Sequence, residues 1–139
     1  MVRRDVAGSK VARAEAWLAD AEKRFGTSAD AFVADGERRD LALFYVFLAI
    51  QECIDLAAHW VADAGWEPAD DAGATFDVLA ERGAIGTELA VRLHGAVGLR
   101  NRIAHGYAQV DYRKVHQEAV EGIVSLRTFL AAVADAAGL

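Results

Sequence analysis

Residues 41–61 read LALFYVFLAIQECIDLAAHWV. Placed on a helix, the apolar side chains of this stretch point in every direction, with Phe44, Tyr45, Val46 and Phe47 in one unbroken turn. The pattern predicts a helix over about 37–64, stopped by Gly65. A helix apolar all round must be covered all round. In a chain of this size neighbouring helices can cover two or three of its sides. The usual cover for the side left over is a second copy, related by a two-fold axis. A homodimer with this helix at or near the interface is therefore expected.

The rest of the chain agrees with an all-helical reading. Its 139 residues amount to a single domain, expected over 1–139. A composition of 54% hydrophobic and 26% charged residues excludes disorder. Thirty alanines and one proline favour helix. The lone Cys53 excludes an intrachain disulfide and a cysteine-based zinc site. The longest unbroken apolar run, Leu41 to Ile50, has ten residues. About 18 are needed to cross a bilayer. The start, MVRRD, lacks the apolar core of a leader peptide. A cytoplasmic protein without membrane contact is expected.

Glycines and capping residues punctuate the remaining helices. A first helix is expected over about 9–25, with Ser9 as its N-cap and Gly26 as its stop. A short helical turn fits 28–34, capped by Ser28. Residues 66–74 read as the main loop, followed by short helix 75–82. A helix over 87–105 contains Gly95 and Gly98, which suggest close helix contact or a bend, since each costs about 1 kcal/mol against alanine. A last helix runs over 111–137, capped by Asp111 and closed by Gly138. The expected fold is an antiparallel up-and-down bundle of four to five helices.

Charge is unevenly spread. The net charge is −6, which disfavours general nucleic-acid binding. Yet Arg92, Arg100, Arg102, Arg113 and Lys114 fall between residues 92 and 116 with only Asp111 against them. Three of the four histidines, His94, His105 and His116, lie in the same window. An anion site fits this window better than the rest of the chain. The alternative is an ordinary solvated helix face.

Within this window, residues 98–107 read GLRNRIAHGY. Asn101 lies four residues before His105 and shares its helix face. An imidazole can take and return a proton at neutral pH. A guanidinium can hold a phosphate through two hydrogen bonds and offset charge in the transition state. RNA supplies its own nucleophile, the 2′-hydroxyl, so the set needs no metal and no cofactor. The alternative reading stays open: His105 favoured by the helix dipole, the arginines as surface cations and Tyr107 as a packed aromatic.

The string Arg100-x4-His105-x-Tyr107, on a helix end ahead of a final helix, resembles the HEPN superfamily and, within it, HepT toxins of HepT/MntA toxin–antitoxin pairs. Val97 to Tyr107 matches the family's wording closely, as do Val110-Asp111 and Gln51-x3-Asp55-x3-His59 on the long second helix. The resemblance covers about 9–135. It implies the ribonuclease toxin of a type VII-like system, a homodimer whose two motifs share a cleft. By that resemblance His105 is the acid/base, Arg100 the phosphate clamp and Asn101 an orienting residue. It makes Tyr107 the residue to which an MntA-like nucleotidyltransferase antitoxin attaches AMP. Asp55 and Arg102 are candidate supporting residues. HEPN domains also serve as non-catalytic nucleotide-binding or adaptor subunits beside nucleotidyltransferases, and that alternative stands. A purely structural dimer is the third reading.

Other polar or reactive residues in the central helix have simpler readings. Gln51, Asp55 and His59 form one stripe, expected to bond with each other, a neighbouring helix or a second copy, with Asp55 facing the motif as the sharper option. Glu52 is expected to be exposed and Cys53 to be packed. Trp17, Trp60 and Trp66 are expected as core or interface anchors.

Overall fold

Side-chain caps start most of the helices in the computed structural model, which describes residues 2–105 and 110–139. Those residues hold six helices and no strand: α1 (Arg4–Phe25), α2 (Ala29–Ala34), α3 (Gly36–Asp63), α4 (Ala72–Glu81), α5 (Thr87–His105) and α6 (Tyr112–Ala137). Ser28 accepts from Ala31 N at 3.2 Å, and Asp35 accepts from Arg38 N at 3.1 Å. Asp71 accepts from Ala74 N at 2.8 Å. Asp111 Oδ1 accepts from both Arg113 N and Lys114 N. Each satisfies an amide that helix geometry leaves unpaired. At the other end of α6, Gly138 takes the left-handed conformation at φ 72°.

Three boundaries differ from the sequence reading. The 28–34 turn is a helix of its own, which makes six rather than four to five. The first helix begins at Arg4, and Ser9 lies inside it, its hydroxyl donating to Val6 O. The cause is long-range: Arg3 N donates to Asp63 Oδ2 at 2.8 Å, and Val2 is buried. The end of α3 thus caps the start of α1, which no local pattern reveals. Likewise α4 starts at Ala72 because Asp71 caps it and Gly73 lets it approach α5. A Cβ at Gly73 would lie 2.8 Å from the His94 ring.

The four long helices run alternately up and down. Arg3 meets Asp63 at one end of the α1–α3 pair, and Arg38 donates to Lys23 O at the other. Arg100 meets Gln51 across α5 and α3. Arg102 meets Glu118 across α5 and α6. Helix α6 returns along α1, from Phe25 beside His116 to Gly8 beside Leu139. Helix α3 is the shared partner, touching α1, α2, α4, α5 and α6. By mean hydropathy, 1.8 over its best window, it is long and apolar enough to span a membrane, but half of that window is buried in the bundle.

The core centres on Phe129, which meets Phe76 edge-on at 5.2 Å and Trp60 at 6.4 Å. Trp60 is buried, whereas Trp17 and Trp66 are partly buried against the core. Glu52 is also buried, contrary to expectation. Lys10 Nζ donates to its Oε1 at 3.0 Å, and Arg13 Nη1 stands 3.7 Å from its Oε2. Two cations from α1 therefore hold the carboxylate inside, as a buried charge requires. The described residues leave one strip of α3 uncovered. Phe44 is 54% exposed, Asp55 and His59 are exposed, and Gln51 is half-buried between them.

Truncating Phe129 to alanine should lower unfolding free energy by about 3–5 kcal/mol in a urea titration. A loss below ~1 kcal/mol would show that the core is not centred there. Burial pushes the Cys53 thiol far above its usual range, with the Glu52 and Glu15 carboxylates adding to the effect. Cys53 should therefore resist alkylation at pH 8 in the folded protein and react fully in denaturant, as read by intact mass.

Candidate phosphate-binding site at the end of α5

Helix α5 presents different residues to α3, α4 and α6. Leu93, Ala96, Leu99 and Ile103 are buried and fix its rotation in the bundle. That rotation turns Arg100 towards α3, where Nη1 donates to Gln51 Oε1 at 2.6 Å. Arg100 Nε donates to Asn101 Oδ1 at 2.9 Å. Two amide oxygens thus hold the guanidinium, one from across the bundle and one from its sequence neighbour. Both are neutral. Among the described residues Arg100 has no carboxylate within ion-pair distance.

The other basic residues of the window are different. Arg92 pairs with Glu88 at 2.7 Å. Arg102 pairs with Glu118 of α6, and Arg113 pairs with Asp30 of α2. Lys114 Nζ lies 3.9 Å from Glu118. Of these five cations, Arg100 is the one positioned by neutral groups. Its positive charge is fixed in place and stays available to an anion.

The remaining sequence candidates separate. His105 is the last residue of α5, one turn beyond Asn101, and is exposed. Arg102 lies two positions past Arg100, on the side of α5 that faces α6, so it does not join the Arg100 cluster. Asp55 is drawn to α1, with Lys10 Nζ at 3.8 Å from Oδ2. His59 is exposed one turn further along α3. Tyr107 lies outside the described residues. His116 is structural. Its Nε2 donates to Phe25 O and Thr27 O, both at 2.9 Å, tying α6 to the α1–α2 junction. His94 Nε2 donates to Asp77 Oδ1 at 2.9 Å and ties α5 to α4.

Two features escape the sequence reading. Spacing places Gln51 only in a polar stripe, whereas it is the residue that positions Arg100. Its signal is a lone amide in a strongly apolar helix. The second feature is an apolar shelf between the end of α5 and the start of α3, a cavity of about 380 Å³ formed by Leu43, Phe44, Phe47, Ile103, Ala104 and Asp40. A fixed guanidinium can bind a phosphate ester, and an exposed imidazole on the last turn of the same helix can move a proton.

Known proteins share this architecture. A tri-AMPylated Shewanella oneidensis HEPN toxin in complex with MNT antitoxin superposes with a TM-score of 0.86 at 21% identity, over 94% of this chain and 98% of that one. A toxin–antitoxin crystal structure with AMP-PNP gives 0.84 at 20% identity, over 93% and 98%. An MntA–HpeT toxin–antitoxin mutant with a tyrosine changed to alanine gives 0.84 at 18% identity, over 94% and 98%. No curated protein matches the chain. The family model described as "Ribonuclease HepT-like" matches residues 15–133. With a match over so much of its length, the chain belongs to the HepT-like ribonuclease family of the HEPN superfamily.

Proposed function

We propose that the chain is the toxin of a type VII-like toxin–antitoxin pair, a metal-independent endoribonuclease that uses Arg100 and His105. The observation that carries this reading is the cradle of Arg100: a cation held by the amides of Gln51 and Asn101, one turn before an exposed histidine. Arg100 would bind the non-bridging oxygens of the scissile phosphate and offset charge gained in the transition state. The substrate's 2′-oxygen would bond to phosphorus as its proton passes to the His105 imidazole. The phosphorus–5′-oxygen bond breaks, and the 5′-oxygen leaves with a proton returned by imidazolium. The RNA provides the nucleophile, so the step requires no bound metal. Asn101 orients the guanidinium.

The functional unit in this proposal is a homodimer. A second copy would cover the strip of α3 around Phe44 and Gln51, bringing two Arg100/His105 pairs to one cleft. The partner is an MntA-like nucleotidyltransferase antitoxin that modifies Tyr107 in the cytoplasm, where RNA and ATP are present. The tyrosine oxygen bonds to the α-phosphorus of ATP, pyrophosphate leaves, and the phenolic proton goes to a base. AMP two residues from His105 adds bulk and negative charge where an RNA phosphate must bind. The similar toxin that is tri-AMPylated and bound to an MNT antitoxin supports this reading.

A non-catalytic adaptor is the second reading, with Arg100 holding a nucleotide phosphate. The net charge of −6 and the pairing of Arg92, Arg102, Arg113 and Lys114 with acids favour it, because both weaken attraction for RNA.

His105→Ala should lower RNA cleavage by about 10²–10⁴-fold in the presence of chelator, with the helical circular dichroism unchanged. Retained cleavage would reject the assigned mechanism. Gln51→Glu keeps the shape of the cradle but puts a carboxylate on Arg100. It should cut cleavage at least about tenfold without loss of stability. Equal cleavage by Gln51→Glu and the parent would show that the charge on Arg100 plays no part. Nucleotide binding by calorimetry with no cleavage from an unmodified parent would favour the adaptor.

A further inference from the structure

Two carboxylates stand close to Gln51 on α3. Glu52 is the next residue, and Asp55 lies one turn further along. Glu52 is turned into the α1–α3 packing, whereas the side chain of Asp55 is 60% exposed. One cation answers both. Lys10 Nζ of α1 is 3.0 Å from Glu52 Oε1 and 3.8 Å from Asp55 Oδ2. Glu52 also has Arg13 at 3.7 Å. Asp55 has no other cation within ion-pair distance among the described residues. The Lys10 side chain is only 21% exposed, so the packing confines its ammonium to this place. An ion pair as open as Lys10–Asp55 adds little stability. Its consequence lies in where it puts the charge of Asp55.

Residues four apart on a helix are neighbours, with Cβ atoms about 5–6 Å apart. Asp55 therefore shares a stretch of helix surface with Gln51, whose Oε1 accepts from Arg100 Nη1 at 2.6 Å. A guanidinium has five N–H donors, and the amides of Gln51 and Asn101 take two of those on Arg100. A carboxylate one turn from Gln51 is a competitor for the rest. Asp55 thus stands between two cations, Lys10 on the α1 side of α3 and Arg100 on the α5 side. It goes to Lys10, and Arg100 keeps only neutral partners.

We propose that Lys10 is a positioning residue of the phosphate site: it holds the Asp55 carboxylate on the α1 side of α3 and so keeps Arg100 open to an anion. Lys10 does not touch the phosphate in this role and acts through Asp55. The inference rests on the reading of Arg100 as a phosphate clamp.

The test uses the full, unmodified chain with inorganic phosphate as the probe, followed by NMR at the Arg100 Nε–H signal. Lys10→Gln removes the ammonium and leaves Arg13 to Glu52. It should weaken phosphate binding about two- to fivefold, the worth of an exposed ion pair formed between Asp55 and Arg100. Adding Asp55→Asn should restore the parent's affinity. Adding Glu67→Gln, the same change of charge on the loop beyond α3, should not. Helical circular dichroism should stay the same throughout. Should Lys10→Gln not fold, Lys10→Met combined with Glu52→Gln repeats the comparison with no buried carboxylate short of a partner.

Equal affinity in the parent and the Lys10 variant would overturn the proposal. So would restoration by Glu67→Gln, since the effect would then be one of overall charge. A loss that Asp55→Asn leaves unrepaired would also overturn it, since Lys10 would then act through the fold. A parent whose Arg100 signal ignores phosphate would remove the proposal together with the site. RNA cleavage by the parent separates the two readings. If the phosphate pattern holds and the parent cleaves no RNA, Lys10 keeps its role and the ribonuclease reading fails. If the parent cleaves RNA and the pattern is absent, the role of Lys10 alone fails.

Discussion

The need to cover α3 governs the rest of the structure. Its side chains are apolar on nearly every side, and α1, α2, α4, α5 and α6 all pack on it. Where a polar group falls inside that packing, a partner comes from another helix. Glu52 takes Lys10 and Arg13 from α1. Gln51 takes Arg100 from α5. The same packing thus builds the core and fixes the guanidinium. A small rotation of α5 on α3 would break the Arg100–Gln51 bond, so the precision of the site derives from the burial of Leu99 and Ile103 on either side of Arg100.

The faces of α5 towards α3 and α6 differ in chemical character. Towards α3 it offers a cation set among amides. Towards α6 it lines a groove whose basic residues are paired with acids, Arg102 with Glu118 and Arg92 with Glu88. Arg100 and Arg102 differ by only two positions and look alike in the sequence. They lie on opposite sides of the helix, and their partners differ in kind: an amide holds one and a carboxylate neutralises the other. A carboxylate would fix Arg100 just as firmly and cancel its use as an anion site. Neutral partners provide position without neutralisation.

Much of this is legible in the sequence. Glycines and Asp or Ser caps mark most helix ends, and the all-round apolar pattern of residues 41–61 identifies the central helix and its uncovered strip. The spacing from Arg100 to His105 marks the candidate site. Other features depend on contacts distant in sequence. The start of α1 is set by Asp63, so Ser9 is not its cap. Glu52 is buried because α1 brings Lys10 and Arg13 to it. Asp55 shares a stripe with Gln51 but is drawn to Lys10, and only the packed helices reveal which of the two meets Arg100. Likewise, helical spacing separates Arg102 from Arg100, but only the place of α6 shows what Arg102 meets.

The proposed chemistry requires Arg100 and His105 to act on one phosphate. It is tested most directly by NMR titration of the unmodified protein with a short RNA whose 2′-hydroxyls are methylated, so that it binds without being cleaved. The Arg100 Nε–H and His105 ring signals should shift together along one saturable curve, and the shifts should weaken as salt rises. Saturable binding that shifts other residues and leaves both of these signals in place would contradict it.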